Sequence, residues 1–313
     1  MKLLPDNTSI DFLNRTPRRI ALAIAGLLVA VSLTSLVVRG MEFGIDFTGG
    51  VLLEVGYPEE ADLERIRQLM ADAGFDDVQV QRFGATTDVM LRLPPQEDLD
   101  PNAVRESLRE TLSADTPGVE LRRVEFVGPQ VGADLREQGM TAVIFALCMI
   151  FIYIMFRFQW KFSAGAVAAL LHDIVVTLGF FSFFRLQFDL TVLAGLLAVI
   201  GYSLNDTVVI FDRIRENFVS MRGASTLDAM NRSINETLSR TIITGITTLM
   251  VLVALYYLGG ESVHSFSMAL IVGIIVGTFS SVYVASALSL LLGINAKDLL
   301  PPEKDSKLID DLP

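Results

Sequence analysis

Six stretches of this sequence are long and apolar enough to cross a bilayer, and they dictate what the chain can fold into. A crossing helix takes about 20 apolar residues. The stretches are Ile20–Val38, Met140–Phe156, Ser163–Phe184, Leu190–Phe211, Thr241–Leu258 and Val263–Leu292. The sixth is long for one span, so it tilts or runs on past the membrane. Arg15, Arg18 and Arg19 precede the first, as in a secretory signal. That stretch is longer than a signal's apolar region and ends at Arg39 without a small-residue cleavage site, so it reads as an uncleaved anchor.

Bases in the short loops set the orientation. They cluster before span one (Arg15, Arg18, Arg19), between spans two and three (Arg157, Lys161), between four and five (Arg213, Arg215, Arg222, Arg232) and after six (Lys297, Lys304, Lys307). The opposite side has only Arg39 and Arg185. Both termini, residues 1–19 and 293–313, are therefore expected in the cytoplasm. Residues 41–137 fall on the far side. This insert holds 21 Asp and Glu against 9 Arg, a net of −12, while the rest of the chain holds 15 acids and 16 bases. The formal charge of −11 thus belongs to the insert, and such an acidic chain does not suit nucleic acid. Cys148 is the only cysteine, which excludes an intrachain disulfide; in its apolar run it reads as a small buried hydrophobe.

The insert alternates in type. Val51–Val55 reads as a strand, 58–73 as a helix ending at Gly74, 78–81 and Val89–Leu93 as strands, 101–112 as a helix and Val119–Val127 as a strand. The order β-α-β-β-α-β is that of a ferredoxin-like α+β domain. It carries no Ser/His pair, no phosphate loop and no cluster of metal ligands. No enzyme activity, cofactor or metal site is expected. The chain is thus read as an α-helical membrane protein: helix one over 20–40, this domain over 41–137, and helices two to six over 138–292. Between spans four and five, Leu227, Met230, Ile234 and Leu238 recur at helical spacing within 223–238. Two readings are open: an amphipathic helix on the cytoplasmic membrane face, or one packed on its neighbours.

An ionisable residue in a spanning helix costs ~2.5–3.5 kcal/mol on insertion scales and asks for a reason. Asn205-Asp206 lies inside span four, His172-Asp173 about nine residues into span three, and Arg240 at the start of span five. Asp206 stands out because Thr207–Phe211 continue the apolar run beyond it. Low dielectric favours a neutral carboxyl group and a nearby guanidinium favours the carboxylate, a competition that lets protonation switch with pH or conformation. Antiparallel packing of spans four and five brings Asp206 and Arg240 to similar depth. A proton-carrying carboxylate with Arg240 as modulator is the functional reading; a static pair fixing helix packing is the alternative. His172 and Asp173 point about 100° apart on a helix, so they need not share a site. Thr241, Thr244, Thr247 and Thr248 either line such a path or join helices. Gly273, Gly277, Ser281 and Ala285 recur every four residues, a stripe for close helix approach.

Five ordered motifs carry a resemblance. Phe43-Gly-Ile-Asp-Phe-Thr-Gly-Gly50, Phe126-Val-Gly-Pro-Gln-Val-Gly132, Ala169-Leu-Leu-His-Asp173, Gly201-Tyr-Ser-Leu-Asn-Asp-Thr207 with Asp212-Arg-Ile-Arg-Glu-Asn217, and Ser239-Arg-Thr241 resemble those of the SecD/SecF protein-export membrane proteins. The fourth is of the SecF rather than the SecD type. The resemblance covers about residues 15–295. It implies a half-unit of the RND transporter superfamily, paired with SecD into a twelve-helix complex in the bacterial inner membrane. Further implied partners are the SecYEG channel, YajC, SecA acting at the cytoplasmic stage, and the unfolded preprotein. It implies use of the proton motive force, with the proton path on Asp206 and Arg240. His172, Asp173, Asn205 and Ser203 are secondary candidates. H⁺ is the expected coupling ion; a carboxylate beside Ser203, Asn205 and Thr207 also suits Na⁺. The rival readings are half of an RND-type small-molecule or lipid exporter and a translocon scaffold that moves no protons.

Overall fold

The computed structural model describes residues 10–75, 77–95, 101–221 and 223–294. Arg222, Lys297, Lys304 and Lys307 lie outside them. The described chain divides into two compact units, one of residues 42–142 and 187–190 and one of the remaining helices.

After α1 (Arg15–Val38), which belongs to the other unit, the first unit opens with β1 (Glu42–Phe43) and α2 (Ile45–Thr48). The sheet domain then runs β2 (Gly50–Gly56), α3 (Leu63–Asp72), β3 (Gln79–Phe83), β4 (Ala85–Leu93), α4 (Pro101–Asp115) and β5 (Glu120–Val127). The strands lie in the order β3-β4-β2-β5, every pair antiparallel. This is the split-βαβ, ferredoxin-like topology the sequence order implied. Alternation along β2 and β4 sends Val51, Leu53, Val55, Val89, Leu91 and Leu93 to one face, which packs on Ile66 and Met70 of α3 and Leu108 and Leu112 of α4.

Helix α3 starts later than residue 58 because Asp62 caps it, accepting from the Glu64 and Arg65 amides. The residues before it stay extended, with Tyr57 and Ala61 amides bonded to Thr87 and Thr86 carbonyls. Strand β4 starts earlier than residue 89 because Gly84, at φ +71°, turns the chain straight back from β3. Gly50 (φ +121°) crosses β4 so closely that a Cβ there would sit 2.3 Å from the Leu93 carbonyl oxygen. Short strand β6 (Gln187–Phe188) pairs in parallel with β1, and Asp46 accepts the Leu190 amide.

The second unit is helical. Its helices are α1 (Arg15–Val38), α5 (Pro129–Arg157, whose residues 129–142 belong to the first unit), α6 (Trp160–Phe184), α7 (Leu190–Ser220, from its second residue on), α8 (Thr226–Leu258) and α9 (Glu261–Phe279). Helix α9 continues through a π-helical turn, Ser280–Ala285, into α10 (Ser286–Leu291). Among the described residues, six helical stretches are long and apolar enough to cross a membrane. Helix α5 begins eleven residues before Met140, with Pro129 at its first position, where a missing N–H costs nothing. Close crossings use small residues: a Cβ on Gly179 of α6 would lie 2.2 Å from the Ser32 Cβ of α1, and one on Gly273 of α9 would lie 2.1 Å from Val199 of α7. The small-residue stripe therefore packs within the chain at Gly273 and Gly277.

Of the two readings open for residues 223–238, the packed one holds: residues 226–238 are the first turns of α8, capped by Ser225. Met230 and Ile234 are buried with Phe211, Ile214 and Phe218 of α7 and with Phe12 and Leu13. The amphipathic face is thus satisfied by packing. The segment Ile10–Leu13 is tied to it by Asn231, which accepts the Phe12 and Leu13 amides, and by Asn235, which accepts the Ile10 amide. Cys148 is exposed on α5, a helix whose apolar residues run all round and which buries little of itself in this chain.

Candidate functional site

Helices α6, α7, α8 and the π turn bring the polar residues of the spans together. Asp206, on α7, is 3% exposed, and its Oδ2 has no hydrogen-bond partner among the described residues. An orphaned buried polar atom costs about 1–3 kcal/mol, so a protein that keeps one is storing a reason for it. Tyr202, one turn earlier on α7, and Thr241 on α8 also have buried hydroxyls without partners among the described residues. A Cβ on Gly245 of α8 would lie 3.9 Å from the Tyr202 hydroxyl and 3.8 Å from Thr278 Oγ1, which places three helices side by side there. Arg240, on α8, is exposed at the chain's surface and acts electrostatically on the Asp206 carboxyl group without a hydrogen bond to it.

Asp173, on α6, has the opposite surroundings. It is 1% exposed. Its Oδ2 accepts from Ser203 Oγ at 2.6 Å and from Ser280 Oγ at 2.8 Å. Its Oδ1 lies 3.1 Å from His172 Nδ1. The imidazole Nδ1 faces this oxygen, and the buried Nε2 has no hydrogen-bond partner among the described residues. The adjacent pair thus does share one site: the imidazole folds back along the helix onto its neighbour.

Ser203 joins this cluster, whereas Asn205 is exposed on the other side of α7. Among the span-five threonines, Thr244, Thr247 and Thr248 donate to carbonyls of their own helix, the common fate of a hydroxyl in a helix interior. They neither join helices nor face Asp206 by a hydrogen bond. Ser280 and Ser281 are contributors that periodicity concealed. The π turn widens the helix so that two successive serines serve different partners: Ser280 meets Asp173, and Ser281 meets Thr207 Oγ1 at 2.9 Å. Read as an α-helix, Ser281 counts only as a small residue in the stripe; two adjacent hydroxyls in an apolar span were the available signal.

These features define a helical unit with six helices able to cross a membrane and a buried, underpartnered carboxyl group among them. A family model described as "Protein export membrane protein SecD/SecF, C-terminal" matches residues 107–295, and one described as "SecD/SecF GG Motif" matches residues 34–57. "Protein translocase subunit SecF" of Vibrio alginolyticus is 47% identical over 94% of this chain and 95% of its own length. The subunit of that name from Pseudomonas aeruginosa is 45% identical over 95% and 96%. The crystal structure of SecDF, a translocon-associated membrane protein from Thermus thermophilus, superposes with a TM-score of 0.84 at 34% identity over 91% of this chain. The chain spans 39% of the length of that SecDF chain. It belongs to the SecD/SecF protein-export membrane protein family, on the SecF branch, and is a multi-pass membrane protein.

Proposed function

We propose that the chain is the SecF-type subunit of the Sec translocase accessory complex. With SecD it uses the proton motive force to complete preprotein export through SecYEG, after SecA has driven the cytoplasmic stage; YajC is a further associate. The membrane is the bacterial inner membrane, with both termini cytoplasmic and the ferredoxin-like domain periplasmic. SecD supplies the other half of a twelve-helix unit, a reading supported by the SecDF structure that this chain matches over part of its length.

The observation that carries the mechanism is the unpartnered, buried Oδ2 of Asp206. A proton taken up there neutralises the carboxylate, and Arg240 then loses the charge it acts on. The change in attraction between α7 and α8 alters their packing, and the packing change moves the periplasmic domain. One elementary charge crossing about 100 mV releases about 2.3 kcal/mol, comparable to such packing terms. Asn205 faces outward from α7, where an amide suits a contact with a second chain. The chemistry needs no covalent intermediate, and it distinguishes the reading from a scaffold that moves no protons.

The test is Asp206→Asn in inverted vesicles carrying SecD and SecYEG. The SecA- and ATP-dependent stage should proceed, while the stimulation of preprotein completion by the proton gradient should vanish. A gradient response equal to wild type would reject the proposal. Repeating the wild-type assay over a range of Na⁺ at fixed pH tests the coupling ion, and an unchanged rate is expected.

A further inference from the structure

Two carboxyl groups are buried in the same bundle, and only one is underpartnered. Asp173 has both oxygens engaged, Oδ2 by two hydroxyl donors and Oδ1 by His172. The two hydroxyls donate to it, so the group serves as the acceptor that joins α7 and the π turn to α6. What it holds is informative. Ser203 lies three residues before Asp206, on the same face of α7. Ser281 Oγ reaches the Ser203 carbonyl at 3.2 Å and pairs with Thr207 Oγ1, next to Asp206. The α7 turn 203–207 is thus gripped by α6 through Asp173 and by the π turn through Ser280 and Ser281. Gly277 makes the grip close: a Cβ there would sit 3.0 Å from the Ser203 Cβ and 3.4 Å from Asp173 Oδ2.

We propose that Asp173, Ser280 and Ser281 are positioning residues for Asp206: they fix the rotation and depth of the α7 turn that bears it, and so set the surroundings in which it exchanges a proton. The clasp also explains the π turn. A regular α-helical turn would carry Ser280 and Ser281 to other rotational positions and release one or both contacts. This inference rests on the reading of Asp206 as the proton-carrying group. Arg240 on α8 is the charged neighbour that acts on Asp206 directly. Asp173 and His172 on α6 stand behind Ser203, and neither is hydrogen-bonded to Asp206.

The test uses the full chain reconstituted with SecD. A hydrophobic carbodiimide modifies protonated carboxyl groups, and mass spectrometry quantifies its adduct on Asp206 as a function of pH. Ser280→Ala, which touches no atom of Asp206, should move the midpoint of modification by about half a pH unit or more. Ser280→Thr, which keeps the hydroxyl, should return it toward wild type. Ser203→Ala gives an independent second variant should Ser280→Ala fail to fold. Wild-type midpoints in both alanine variants would overturn the proposal, as would failure of the reagent to modify Asp206 at any pH. The underlying reading fails differently: Asp206→Asn would then export with a full gradient response, whatever the midpoints are.

Discussion

Asp206 and Asp173 lie in one helical unit and carry the same functional group, so their difference comes from neighbours alone. Asp173 has three polar partners around it, and Asp206 has an oxygen with none among the described residues. At this scale Arg240 gives a direct prediction. Removing its charge by Arg240→Ala should cut gradient-stimulated export about tenfold, equivalent to about 1.4 kcal/mol of lost coupling. Arg240→Lys, which keeps the charge but not the guanidinium fork, should fall between the two. Export rates in vesicles with and without a gradient check both. Asp206, Arg240, His172 and Asp173 stand out in the sequence as candidates because charge in an apolar span is costly and therefore conspicuous. Ser280 and Ser281 were not, because serine is cheap in a span and the π turn that aims them has no sequence signature of its own.

Among the elements, the helices were legible wherever apolar run and cap agree. The join of residues 226–238 to span five was not, since an amphipathic face is satisfied equally by lipid or by protein; here Phe211, Ile214 and Phe218 cover it. Cys148 was misread for the related reason that a spanning helix is apolar on its outer face as well. The α7–α9 crossing gives a prediction about packing. Gly273→Ala forces a Cβ to within 2.1 Å of Val199 and should destabilise the protein by about 1–3 kcal/mol, read as a lowered Tm in detergent. Val199→Ala makes the room back, so the double variant should lose less than the sum of the singles. The N-terminal segment gives another. Asn231→Ala strands the Phe12 and Leu13 amides, and hydrogen exchange at those two positions should rise while exchange at Asp62-capped α3 stays unchanged.

For the whole molecule, the charge of −12 in residues 41–137 makes the domain pH-sensitive. Arg65, hydrogen-bonded to Asp115 across α3 and α4, holds that carboxyl below the usual carboxylate range. A depressed folded-state pKa contributes stability above the unfolded value of about 3.9, and that contribution is lost as pH falls through the folded value. Arg65→Ala should therefore lower the domain's unfolding midpoint at pH 7, and the gap to wild type should close as acid protonates Asp115 in the folded state. The proposed orientation is checked by cysteine labelling after Cys148→Ser. A membrane-impermeant maleimide should label Glu110→Cys, exposed on α4, from the periplasmic side and Ser220→Cys only after lysis. The ferredoxin-like order was readable from alternation, but the pairing of β1 with β6 was not, since two-residue strands carry no periodicity. Proton movement through Asp206 is the step on which the proposed coupling depends. The most direct measurement is proton flux into liposomes holding this chain with SecD, followed by an entrapped pH dye under an imposed gradient. Flux in the wild type that is lost in Asp206→Asn and indifferent to Na⁺ is the predicted result. Equal flux in the two proteins would contradict it.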